Sequence, residues 1–322
     1  VCLWRCAELF AMSHVNPRMN GVTMGLDVGG TKIKGGLLST DGKATSVMTI
    51  PTRPDRGGSA VLADCLKLAT QLQKATVQPI LGIGLGVPEL VDSEGRITSS
   101  QTLDWQDRAL AASFQTIAPI TVAADVRAAA LAEVRLGAGQ DFDTFIYISV
   151  GTGISSCLVQ KGVPFTGTRG NALVLSTGFM TVLDNNEQLI RLPPIETVSS
   201  GAGIVSRYNK SRADNVTNAE GVLKRMAEGD STATKVIHSA AIALGSALGW
   251  LVNVLDPTAL IIGGGLGSGS NIFRQCVADA TRIHIWAASS RQLPIVPAAL
   301  AEDAGMIGAA LIARDDARAE GA

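Results

Sequence analysis

A glycine hairpin occurs twice in this chain, the copies 122 positions apart. The first reads DVGGTKIKGGLLSTDGK from Asp27 and the second ISVGTGISSCLVQKG from Ile148. Val28 matches Val150 and Gly29 matches Gly151. Each copy is an apolar strand, a glycine turn and a second strand. Repetition at this distance implies two domains on one plan. Chance likeness of two glycine hairpins is the competing account.

The rest of the chain alternates strands with helices, which gives an α/β class. Further strands are expected at Ile80–Val87, Pro119–Ala123 and Ala259–Ile262. Helices are expected at Ser59–Lys74, Val126–Leu136, Ala219–Ala227, Ser231–Leu255 and Ala304–Ala313. The length of 322 residues suits two domains. We divide it into an N-terminal extension of little fold content (1–21), a first domain (22–118), a second domain (119–303) and a polar tail (314–322). Val236–Leu255 is long and apolar enough to span a bilayer. Its Ser239, Ser246, Asn253 and two glycines, and the Asp256-Pro257 that follows, favour a fully buried helix instead.

Composition narrows the partners. Lys and Arg total 27 against 28 Asp and Glu, so no basic excess exists to hold nucleic acid or an anionic membrane. Thirty-five glycines against 4% aromatics suggest close backbone approaches rather than base stacking. Five scattered cysteines without a CxxC pair read as reduced thiols of a cytoplasmic protein. Three histidines exclude a His-rich metal site.

Four segments carry candidate chemistry. In Asp27-Val-Gly-Gly-Thr-Lys32, turn amides at Gly29 and Gly30 can form an anion nest, with Thr31 adding a hydroxyl and Lys32 a charge. Asp27 can hold Mg²⁺, through water. An ordinary hairpin turn is the alternative. Gly151-Thr152-Gly153 repeats the motif, and Gly263-Gly264-Gly265 follows another apolar strand. Three such turns can converge on one nucleotide. None is a GxxxxGK[ST] or a helix-opening GxGxxG loop. Asp125 stands between a strand and a small-residue helix, where it is either a cap or a general base.

The order of these pieces resembles the ROK sugar kinases of the actin–hexokinase superfamily. DVGGTKIKGGLLSTDG resembles the first phosphate hairpin and SVGTGISSCLVQKG the second. GIGLGVPELVD resembles the family's GxGxPGxVD strand, NVLDPTALIIGGGL its adenosine-side segment and EDAGMIGAALIA its closing helix. The resemblance implies a two-domain actin-like ATPase fold, ribonuclease H-like and duplicated, with an ATP cleft between domains and helix 304–313 packing back on the first. It implies ATP, Mg²⁺ and phosphoryl transfer to a hydroxyl of a sugar or sugar-like substrate. Asp125 would be the base and Asp27 would support Mg²⁺. Gly29, Gly30, Thr31 and Lys32 would face the phosphates opposite Thr152 and Gly153, with Gly264 and Gly265 against the adenosine. Pro88, Gln101 (or Thr102), Asn171 and Glu196 would touch the acceptor. A homodimer is implied as well.

The departures concern the acceptor. The family's GxAGExGH stretch is GNALVLST here, with Val174 in place of Glu and Thr177 in place of His. The zinc run CxCGxxGCxE is replaced by DNNEQLIRLPPIE, so no Zn²⁺ is expected. Arg127 replaces an Asn and Glu89 a Gly. These two charges either suit a charged acceptor or face solvent. A catalytically silent sensor that binds sugar or nucleotide is the rival to a kinase. A repressor is disfavoured, because only about 23 residues precede Met24 and a winged helix-turn-helix needs more than one helix.

Overall fold

The computed structural model describes residues 21–106, 110–172, 174–178, 180–211 and 215–320. Residues 1–20 of the expected extension lie outside the described residues. The chain runs β1 (Val22–Val28), β2 (Lys32–Leu38), β3 (Ala44–Pro51), α1 (Gly58–Lys74), β4 (Ile80–Val87), α2 (Leu110–Phe114), β5 (Ile120–Ala124) and α3 (Asp125–Leu136). It continues through β6 (Thr144–Val150), β7 (Ile154–Gln160), β8 (Val163–Pro164), β9 (Thr181–Leu183), β10 (Leu189–Arg191), α4 (Ile195–Ser199), α5 (Gly201–Asn209), α6 (Ala219–Ala227) and α7 (Ser231–Leu255). Then come β11 (Ala259–Gly263), α8 (Gly264–Gly269), α9 (Asn271–His284), β12 (Ile295–Pro297) and α10 (Ala304–Glu320).

Two five-stranded sheets repeat one plan. Their orders are β3-β2-β1-β4-β5 and β8-β7-β6-β11-β12. In each, a central strand pairs antiparallel with the second arm of its hairpin and parallel with a later strand. The hairpins close at Val28↔Ile33 and Val150↔Ile154. The sequence repeat is therefore a structural duplication, and chance likeness is excluded. The expected boundary at 118/119 needs correction. β5 pairs parallel with β4, Ile83 opposite Ile120, so the first sheet extends to Ala124 and the chain crosses at α3.

Each sheet has a core on one face. Leu26, Val61, Leu68 and Trp105 gather on the first, and Ile148, Ile204, Leu244 and Phe273 on the second. A third core lies between the halves, where alanines of α3 meet Phe145, Tyr147 and the apolar stripe of α10. Burying Met306, Ile307 and Leu311 there stabilises this joint by about 1.5–3 kcal/mol per side chain. The glycines that interrupt β1 and β4 lie under α10. A Cβ on Gly84 would stand 1.8 Å from the Ala309 carbonyl oxygen, and one on Gly25 1.9 Å from that of Met306. Helix backbone thus rests directly on sheet backbone.

Three more expectations change. The tail from 314 continues α10 to Glu320, because Arg314 is buried, Arg135 pairs with Asp315 at 3.2 Å and Thr121 donates to Asp316 at 2.6 Å. Helix α7 is buried on one face only. Leu244, Leu248 and Val252 face the core, while Ile242, Trp250 and Val254 are exposed. Its glycines serve α9, which the sequence reading missed. A Cβ on Gly245 would lie 2.5 Å from Ala280 Cβ.

Candidate active site

The three glycine turns meet. Gly29 N–H donates to Lys32 O at 2.9 Å, and Gly151 N–H to Gly153 O at 2.9 Å, so the first turn is one residue longer than the second. Thr31 Oγ1 and Thr152 Oγ1 are 3.4 Å apart, which joins their tips across the cleft. Gly264, at φ +79°, opens α8 against the end of β6, and a Cβ there would lie 2.5 Å from Val150 O. Only glycine fits that close approach. Gly151 and Gly265 have open space where side chains would stand. Thr52, absent from the sequence reading, braces the first turn. It donates from Oγ1 to Gly29 O at 2.6 Å and from its amide to Thr31 O at 3.0 Å.

Two carboxylates face this meeting point. Asp27 ends β1 beside the start of α10, where a Cβ on Gly305 would lie 2.4 Å from Asp27 Oδ2. Burial pushes the Asp27 carboxyl up to about 6, against the pull of Lys32 and Lys34. Asp125 opens α3. Ala124 is the N-cap residue, so Asp125 is not the usual cap, although its Oδ1 accepts from Val126 N–H at 2.6 Å. Burial pushes Asp125 up to about 7, and the charge on Asp27 adds to the rise. A Cβ on Gly86 would be 3.6 Å from both Asp125 Cα and Asp27 Oδ1, so Gly86 lies between the two acids.

Lys32 is engaged elsewhere. Its Nζ pairs with Glu302 at 2.6 Å, and Lys34 pairs with Asp303 at 2.6 Å. Both acids sit in the short helical turn Ala301–Asp303 before α10. The Lys32 charge beside Glu302 holds that carboxyl below its usual range. No local signal could have paired residues 270 positions apart. An anion at the turn would compete with Glu302 for the Lys32 ammonium.

The acceptor-side residues divide. Glu89 is buried, so it is not solvent-facing. Its carboxylate accepts from Ser99 Oγ, Gln101 N–H at 2.9 Å, Thr102 N–H at 2.6 Å and Leu103 N–H at 2.8 Å. It fastens the 99–103 loop. That loop brings Thr102 within 3.7 Å of a Cβ position on Gly30. Pro88 is half-buried at the end of β4, and Gln101 is exposed on the loop. Asn171 is exposed next to Gly170, whose backbone rests on Val91. Glu196 Oε2 accepts from Ile154 N–H at 2.8 Å, so this oxygen braces the second glycine turn. Val174, at 46% exposure, presents an apolar side chain to solvent.

For a nucleotide and a hydrated Mg²⁺, the residues fit. The turn amides, two threonine hydroxyls, Lys32 and Lys34 suit phosphate, and the Asp27 carboxylate suits a hydrated divalent cation. Among the described residues, no group of three His, Cys, Asp or Glu gathers as a metal site.

Comparisons with known proteins bear on the family and the fold. The model of the ROK family matches residues 23–316. A glucokinase of Halalkalibacterium halodurans is 28% identical over 307 residues, covering 88% of this chain and 92% of its own. The N-acetylgalactosamine kinase AgaK of Shewanella is 28% identical, with 81% and 87% covered. A ROK family glucokinase from Streptomyces griseus, solved with glucose and AMPPNP, superposes with a TM-score of 0.79 at 23% identity, covering 92% of this chain and all of its own.

Proposed function

The chain belongs to the ROK family, and we propose on that premise that it transfers the γ-phosphoryl group of ATP to a hydroxyl of a sugar or sugar-like acceptor. The observation that carries this reading is the position of Asp125. An acid raised to about 7 stands beside Asp27, where two glycine turns and the 99–103 loop converge.

The Gly30 amide, with the Thr31 and Thr152 hydroxyls, holds the terminal phosphates, while the Gly29 amide closes the turn on Lys32 O. Lys32 leaves Glu302 to neutralise them. Gly265 leaves room for the adenosine, next to Gly264, whose close approach to Val150 fixes the turn. Asp27 would hold Mg²⁺ through water, and the ion would supply neutralisation of developing phosphate charge. Asp125 accepts the acceptor's hydroxyl proton as the new O–P bond forms and the bond to the bridging oxygen of ADP breaks. An acid near 7 is matched to that task. Gln101, Thr102, Asn171 and the second oxygen of Glu196 line the acceptor end.

A homodimer and a cytosolic setting complete the reading. Exposed Trp250, Val254, Ile283 and Trp286 support the former, since Asn253 of α7 ties to the end of α9 and the residues just beyond it through His284 O and Trp286 N–H, each at 2.8 Å. Unpaired Cys65, Cys157 and Cys276 support the latter.

The test is ADP release with Mg·ATP across hexoses, N-acetylamino sugars, polyols and acidic sugars, with Asp125→Ala as control. Turnover that needs both an acceptor and Asp125 establishes the kinase. The sensor reading is favoured by Val174 and Thr177, which remove two charge-assisted hydrogen bonds to a pyranose. ATP binding without acceptor-dependent ADP release would establish that reading and sink the kinase.

A further inference from the structure

One charge at the acceptor end has no part in the transfer itself. Arg127 lies two residues beyond Asp125, in the first turn of α3. Its Nη2 donates to Val91 O at 2.6 Å and its Nη1 to Gly170 O at 3.2 Å. These carbonyls come from opposite halves. Val91 follows β4 of the first sheet, and Gly170 follows β8 of the second. At this junction the two backbones touch. Gly170 has φ +76°, and a Cβ there would lie 2.1 Å from Val91 O and 2.7 Å from Asp92 Cα. Burial holds the guanidinium below its ordinary pKa, which marks it as enclosed in the joint rather than projecting to water.

We propose that Arg127 is a positioning residue that clamps the acceptor-side loops of the two halves together, so that closure of this end is built into the ligand-free protein. The name acceptor-side rests on the kinase reading; the clamp itself does not. Two of the five guanidinium N–H donors are thereby spent on the protein's own carbonyls, one from each half. A preformed joint lowers the ordering cost that a weakly held acceptor would otherwise bear.

The first arm of the test is hydrogen–deuterium exchange on the full, ligand-free chain, comparing wild type with Arg127→Gln and Arg127→Lys. For the glutamine variant we expect exchange at least about tenfold faster in 88–93 and 166–172 together, the scale of losing one hydrogen bond to a charged group. The sheets should be unchanged, and the lysine variant, which keeps the charge, should fall between. Unchanged exchange in either loop overturns the clamp. The second arm is kinetic, with glucose and N-acetylmannosamine as probes. Acceptor KM should rise about tenfold while ATP KM stays within about twofold. A fall in kcat at constant acceptor KM would instead place Arg127 on the base and overturn the proposal. If neither sugar turns over in wild type, that counts against the kinase reading, and exchange alone decides the clamp.

Discussion

Replacing Asp125 by Asn should stabilise the protein at pH 8 while abolishing turnover. A rise from 3.8 to about 7 means that the ionised Asp125 is disfavoured in the fold by about 4 kcal/mol at high pH. Part of that cost comes from Asp27, itself raised to about 6, so neutralising Asp125 relieves both groups. The asparagine retains an oxygen for Val126 N–H, so the local bond survives. Both carboxylates are partly accessible to water, which reduces the gain to about 2–4 kcal/mol. The sign with pH follows from proton counting. Between about pH 4 and 7 the folded chain binds more protons at these two sites than the unfolded chain does, so wild-type stability falls as pH rises. Below that window both states are protonated and the variant has no advantage. The assay is urea unfolding in EDTA at pH 5 and pH 8, alongside ADP release. The gain should be full at pH 8 and should shrink to about 1–2 kcal/mol at pH 5. Turnover should drop about 100-fold or more. A variant that is destabilised at pH 8, or whose gain ignores pH, would refute the account of these carboxylates.

Glu89→Gln should cost about 3–5 kcal/mol in urea unfolding, because an amide nitrogen then faces donors that a carboxylate had satisfied; a loss under about 1 kcal/mol would show that the 99–103 loop is held otherwise. Gly84→Ala should destabilise by about 3 kcal/mol or more, since its Cβ meets the α10 backbone rather than a flexible side chain; soluble protein with an unchanged unfolding midpoint would contradict that packing. Glu302→Gln should lower ATP KM about two- to fivefold by freeing Lys32 from an exposed pair worth about 0.2–1 kcal/mol, and unchanged affinity would mean that Lys32 does not reach the nucleotide. For wild type, kcat/KM should rise with pH through about 7 as Asp125 loses its proton, and a flat profile from pH 6 to 8 would remove it as the base.

The sequence by itself determined the duplicated plan, the three glycine turns and the acid at Asp125. These are local: a strand followed by two small residues and a strand has few ways to fold, and the copy 122 positions on repeats it. It also announced close backbone contacts through its glycines, though not that those of β1 and β4 lie under α10. The hidden parts depend on long-range partners. A lone Glu89 reads as a surface charge until four donors converge on it. Glu196 reads as a sugar ligand until Ile154 N–H claims one of its oxygens. Lys32 reads as a free phosphate binder until α10 brings Glu302 beside it. Helix α10 seemed to stop at Ala313 because its apolar stripe stops there, yet Asp315 and Asp316 find partners on α3 and β5. A charged residue's role is set by what stands within about 3 Å of it, and only the folded chain decides which distant residues those are.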